Sequence, residues 1–193
     1  MKHIVIFASG SGSNAENLIR FFQGRDTAKV VMVLTNNPHA KVLERCKSLN
    51  VSALSFNRTA FSKSDDILDV LKSKQPDLIV LAGFLWKFPE LILDHFKDKV
   101  INIHPALLPK YGGKGMYGMH VHEAVVNNQE RESGITIHYV NEHYDEGAII
   151  FQAKCNVEPN DTAKDVAAKI HELEMEHFPK VVEKLMTSQN PSS

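Results

Sequence analysis

Two cysteines in 193 residues are too few for a disulfide framework, and Cys46 and Cys155 lie too far apart to suggest a metal-binding pair. Such isolated thiols are those of a reducing compartment. Charge of one sign is missing as well: 22 Lys and Arg stand against 23 Asp and Glu, for a formal net charge of -1. Acids and bases are spread along the chain, without the basic footprint that binds nucleic acid or a membrane surface. Long apolar runs are also absent. Ile4–Ala8, after Met1-Lys2-His3, is too short for a signal-peptide core and runs into a glycine-serine turn. No later stretch approaches the length a bilayer-spanning helix needs. There is no internal repeat and no linker. These absences predict a soluble, cytoplasmic protein of one domain over residues 1–187, with a frayed tail at 188–193.

What the chain does contain is alternation. Ile4–Phe7, Val30–Leu34, Leu78–Leu81 and Val100–Ile103 are short apolar runs of the kind buried on both faces of a parallel sheet. Helical patterns fall between them, at roughly 14–23, 39–49, 63–74 and 89–96. Pro89 suits a helix start, and Asn37-Pro38 marks a turn. Residues 105–121 hold two prolines and four glycines and are expected as one long loop, usually a functional or mobile feature. Two strands are expected near 134–140 and 147–155, then a helix from about 162 to 187 capped by Thr162 with Asp165. The predicted fold is α/β: a Rossmann-like open sheet, mostly parallel with a later antiparallel strand, and helices on both faces.

Three places carry side chains suited to chemistry. Ser9-Gly10-Ser11-Gly12-Ser13-Asn14 joins the first strand to the first helix, where a tight turn and free amides suit a phosphate. A plain strand-to-helix turn has the same outline. A dinucleotide site would want an acid at the end of the second strand, but Thr35-Asn36-Asn37 stands there. Asn102 and His104 end a strand on one face of it, at the carboxyl edge where open α/β sheets bind ligands. An amide that donates beside an imidazole that titrates suits an oxyanion, and equally a buried polar pair. Asp145 reads as a turn aspartate, unless the chain folds it back beside His104 to orient the ring and relay a proton. His120-Val121-His122-Glu123 lacks a third ligand at metal spacing, so no metal is expected.

Taken in order, Gly10-Ser11-Gly12-Ser13-Asn14, Leu81-Ala82-Gly83-Phe84, Asn102-Ile-His104-Pro-Ala-Leu-Leu-Pro-Lys110-Tyr111 and Asp145-Glu-Gly-Ala-Ile-Ile resemble the folate-dependent glycinamide ribonucleotide formyltransferases. The resemblance covers essentially the whole chain. It implies transfer of a formyl group from 10-formyltetrahydrofolate, as co-substrate, to the amine of glycinamide ribonucleotide in purine synthesis, by a monomer or homodimer without metal. It implies catalysis by Asn102, His104 and Asp145, with His104 protonated to meet the oxyanion. Gly12, Ser13 and Asn14 match the substrate-phosphate loop, Glu174 the acid on the substrate ribose, and His171 a position that faces the phosphate. The folate pocket would be drawn from Leu81, Leu85, Trp86, Lys87, Phe88, Asn141, Glu142, His143 and Tyr144. Two features depart from the commoner pattern: Leu85-Trp86-Lys87-Phe88, and the longer loop Gly112-Gly-Lys-Gly-Met-Tyr-Gly118. The competing readings are a formyltetrahydrofolate hydrolase or another formyl-folate transferase and, from a different class, a non-catalytic nucleotide-binding module.

Overall fold

Residues 1–188 are described by a computed structural model, and residues 189–193, which hold most of the expected tail, lie outside it. Strands β1 (Lys2–Phe7), β2 (Ala28–Thr35), β3 (Ala53–Ser55), β4 (Leu78–Leu81) and β5 (Val100–His104) pair in parallel in the spatial order β3-β2-β1-β4-β5. Strand β6 (Glu132–Tyr139) then pairs antiparallel to β5, and β7 (Ile149–Asn156) antiparallel to β6. One strand therefore runs against the other six, as the expected fold class requires.

Alternation along the strands sorts their side chains into two cores. Ile4 and Ile6 of β1, with Leu78 and Val80 of β4, face a layer built by α1 (Ser13–Phe22), α2 (Val42–Ser48), α6 (Met119–Asn127) and α7 (Ala163–Ser188). Val5 and Phe7, with Ile79 and Leu81, face α3 (Arg58–Ser62), α4 (Asp66–Lys74) and α5 (Glu90–His95). Helix α1 buries Ala15, Leu18, Ile19 and Phe22, the spacing of a single helical face. Each fully buried Leu, Ile or Phe in these layers stabilises the fold by about 1.5–3 kcal/mol.

Helix α7 is capped as its sequence suggests. The Asp165 amide donates to Thr162 Oγ1 at 3.3 Å, and the Thr162 amide donates back to Asp165 Oδ2 at 2.8 Å. Pro179 lies inside this helix and has no N–H for the carbonyl of Met175. Asn17 Nδ2 on α1 donates to that carbonyl instead, at 2.9 Å.

Two local expectations differ from the structure. The segment 105–121 is not a loop throughout, because α6 begins at Met119. His120 and His122 interrupt the apolar pattern there, yet His122 is buried together with Val121 and Val125. The edge strand β3, only three residues long and mostly exposed, was not expected because it offers no apolar run.

Candidate active site

Between β1 and β4 the strand order reverses, and the crevice outside the carboxyl ends of these strands is where such sheets bind ligands. The loops leaving both strands are tied together there. The Ser9 amide donates to the Gly83 carbonyl at 3.0 Å, and the Leu85 amide donates to Ser9 Oγ at 3.0 Å. A cavity of about 480 Å³ opens above them, within the usual range for small-molecule sites. Its walls include Gly10–Asn14, Ala82–Leu85, Asn102–Pro105, the Gly113–Gly118 loop, Tyr144 and Asp145, and Ile170, His171 and Glu174 of α7.

At one wall α1 begins at Gly12, whose φ of 73° is left-handed and where a Cβ would collide with Val42. No side chain caps this helix, so the amides of its first turn have no side-chain acceptor. The positive end of the helix dipole and these amides together have the polarity that suits an anion. Asn14 is buried; its Nδ2 donates to Glu174 Oε2 at 3.0 Å, while its Oδ1 has no partner among the described residues. Burial pushes the Glu174 carboxyl above its ordinary value, against the opposing pull of Asn14 and His171. His171 is half-exposed, with Nδ1 3.7 Å from Glu174 Oε2.

The titratable cluster lies at the end of β5. His104 Nε2 stands 2.7 Å from the carbonyl of Tyr111, which can only accept, so the neutral ring carries its proton on Nε2. The Tyr111 side chain is itself anchored, its Oη donating to Glu130 Oε1 at 2.9 Å. His104 Nδ1 is thereby left facing Asp145 Oδ2 at 3.6 Å. On the neighbouring strand His138 donates from Nδ1 to the Tyr139 carbonyl at 2.9 Å, and its Nε2 accepts from Asn102 Nδ2 at 3.1 Å. Asn102 Nδ2 also makes a long 3.4 Å bond to Asp145 Oδ1.

Asp145 itself has a left-handed φ of 57°, a conformation non-glycine residues rarely hold without support. The Gly113 amide supplies it, donating to Oδ2 at 2.9 Å. Burial acts to raise the Asp145 carboxyl, but His138, His104 and the Gly113 amide outweigh it and hold the group below its usual value. Burial dominates at His104 and lowers its affinity for a proton, despite the nearby Asp145 and the Tyr111 carbonyl. Burial thus favours the neutral imidazole in the resting protein, whereas the expected mechanism has the ring protonated when it meets the oxyanion.

The sequence profile of the formyl transferase family matches residues 2–182. The chain belongs to that family. Within the formyl transferase family, phosphoribosylglycinamide formyltransferase of Bacillus subtilis is 32% identical over 197 residues, which cover 98% of this chain and 97% of that protein. The chloroplastic phosphoribosylglycinamide formyltransferase of Arabidopsis thaliana is 36% identical over 187 residues, covering 94% of this chain and 64% of that protein. This chain thus spans a little under two thirds of the plant relative. The crystal structure of phosphoribosylglycinamide formyltransferase from Bacillus halodurans has a TM-score of 0.87 and 33% identity, over 98% of this chain and 97% of that one.

In this family member, Asn102, His104, Asp145, Gly12, Ser13, Asn14, His171 and Glu174 all line the one cavity. Of the residues expected to hold folate, Leu85 and Tyr144 line it too. Leu81, Trp86, Lys87, Phe88, Asn141, His143 and Tyr144 surround a smaller adjoining pocket that shares Asn102 and Asp145. Leu81 and Phe88 are largely core residues, and Trp86 packs on Phe56 and Phe61 with the Arg58 guanidinium over its ring, 4.3 Å from the centroid. Glu142 is exposed and lines neither pocket. Sequence reasoning did not single out His138, whose partnership with Asn102 depends on the β5–β6 register. His122, left without a role, also lines the cavity; it is buried and its Nδ1 has no partner among the described residues.

Proposed function

We propose that this chain transfers the formyl group of 10-formyltetrahydrofolate to the amine of glycinamide ribonucleotide, as a metal-independent cytoplasmic enzyme of purine synthesis acting on small molecules. The observation that carries this reading is the convergence of Asn102, His104 and Asp145 in the same cavity as the uncapped start of α1. One end suits a phosphate and the other a developing oxyanion.

The attacking amine forms a bond to the formyl carbon, and the carbonyl electron pair moves onto oxygen. The Asn102 amide keeps its bond to His138, gives up the long one to Asp145, and turns that N–H to the oxyanion. The new ammonium passes its proton to Nδ1 of His104, the vacant ring position beside Asp145. The imidazolium so formed faces Asp145 on one side and the Tyr111 carbonyl on the other. It then returns the proton to the folate nitrogen as the carbon–nitrogen bond to the folate breaks. The ring thus acquires its charge as the oxyanion appears, which accommodates a resting neutral state.

Absorbance of the folate donor, followed with and without glycinamide ribonucleotide, tests the reading. Deformylation that requires the ribonucleotide and yields the formylated product supports transfer. Deformylation without it indicates a hydrolase, and no reaction under either condition indicates a binding module. Asn102→Ala and His104→Ala are each expected to lower kcat by about 100- to 1000-fold, with much smaller effects on substrate KM. Near-normal turnover in either variant removes that residue from the mechanism.

A further inference from the structure

The cavity is short of positive charge for a ligand that carries a phosphate. Its lining has two carboxylates, Asp145 and Glu174, and three histidines, His104, His122 and His171. Burial holds His104 and His122 toward their neutral forms. Lys114 is the one lysine or arginine among the described residues that line it. Helix dipoles and amides attract an anion, but a phosphomonoester beside two acids calls for a full cation as well.

Lys114 is displayed by a built turn. The Met116 amide donates to the Gly113 carbonyl at 3.1 Å, closing a four-residue turn with Lys114 and Gly115 in the middle. Gly115 has φ of 92°, the left-handed angle that the third position of a type II turn demands. The base of the turn is fixed to the catalytic end of the cavity through the Gly113 amide on Asp145. The ammonium is exposed and has no ion-pair partner among the described residues. The other loop lysine nearby, Lys110, is already paired with Glu130.

On the formyl-transfer reading above, we propose that Lys114 is a substrate-specificity residue: its ammonium closes over the phosphate of the ribonucleotide from the Gly113–Gly118 wall, opposite the α1 amides. It completes a two-sided phosphate site in which the helix start supplies oriented amides and the turn supplies charge. Because the same turn is anchored to Asp145, phosphate capture and the arrangement of the catalytic carboxylate are mechanically joined.

The test is steady-state kinetics on the full chain for wild type, Lys114→Met and Lys114→Arg, with inorganic phosphate as a competing probe. Lys114→Met is expected to raise the KM for glycinamide ribonucleotide and the phosphate inhibition constant by roughly 10- to 100-fold. The KM for the folate donor stays unchanged, and Lys114→Arg restores most of the loss. The difference between wild type and Lys114→Met shrinks as salt is raised. A Lys114→Met enzyme with unaltered ribonucleotide KM and phosphate inhibition overturns the proposal while leaving formyl transfer intact. A wild-type chain that does not use the ribonucleotide at all overturns the formyl-transfer reading itself, and this proposal with it.

Discussion

On the formyl-transfer reading, Glu174 is the residue where binding and stability pull in opposite directions. Its carboxyl is largely buried against Asn14, and burial raises its affinity for a proton above the ordinary value. A raised folded-state pKa contributes stability that is fully present below the unfolded value, about 4.3, and is lost as pH rises through the folded value. Above that folded value the fold carries an ionised carboxylate that its burial disfavours. Glu174→Gln keeps an acceptor for Asn14 and removes the charge. It is expected to stabilise the protein at pH 7.5 by on the order of 1 kcal/mol, or about 2–4 °C in Tm. The same variant is expected to raise the KM for glycinamide ribonucleotide by about tenfold or more. Thermal melts at pH 4 and 7.5 decide the first point, because the gain should vanish at the lower pH. A Tm difference that is identical at both values would falsify the electrostatic account.

At the scale of elements, the junction of α1 and α7 holds one edge of the cavity together. Asn14 reaches Glu174, and one turn later on α1 Asn17 reaches the Met175 carbonyl that Pro179 leaves without its helical donor. A helix-interior proline would ordinarily leave that carbonyl to water or kink the helix freely. Here the cross-helix amide satisfies it next to Glu174, which lines the cavity. Asn17→Ala is expected to destabilise the protein by about 1–3 kcal/mol, the cost of an unsatisfied acceptor at a packed junction. Pro179→Ala restores an N–H four residues beyond Met175, so in that background the Asn17→Ala cost should fall to a small fraction. Urea unfolding of the four proteins in a double-mutant cycle measures the coupling. Additive losses would mean that the Asn17 bond does not substitute for the missing helical one.

For the whole molecule, what could be read from the chain followed how local the information is. The strands β1, β2, β4 and β5 announce themselves as apolar runs, α1 by its periodic face, and α7 by its periodic face and its cap. Asn102 and His104 share a face because they are two residues apart on one strand, which needs no knowledge of the rest of the fold. His138 needs the register of β5 on β6, and the approach of Asp145 needs the turn that places Gly113 against it; neither is written in any short segment. The same long-range assembly buries His104 and His122, which lie 18 positions apart in the chain and end in one cavity. Burial lowers the proton affinity of both below the unfolded value of about 6.5. Between the folded and unfolded values the unfolded chain binds more protons, so stability is complete above about pH 6.5 and is lost as pH falls through the folded values. Asp145, also depressed, adds a further loss in the more acidic carboxylate range, and Glu174 acts in the opposite sense. Urea midpoints should therefore decline between pH 7 and 5, with a limiting slope of about 1.4 kcal/mol per pH unit for each histidine. His122→Gln should lower stability at pH 7.5 yet flatten the decline, because one of the two groups that must stay neutral is gone. A wild-type midpoint that is level from pH 7 to 5 would mean that the folded cavity accepts protons as readily as the open chain, and that neither imidazole is held neutral by its burial.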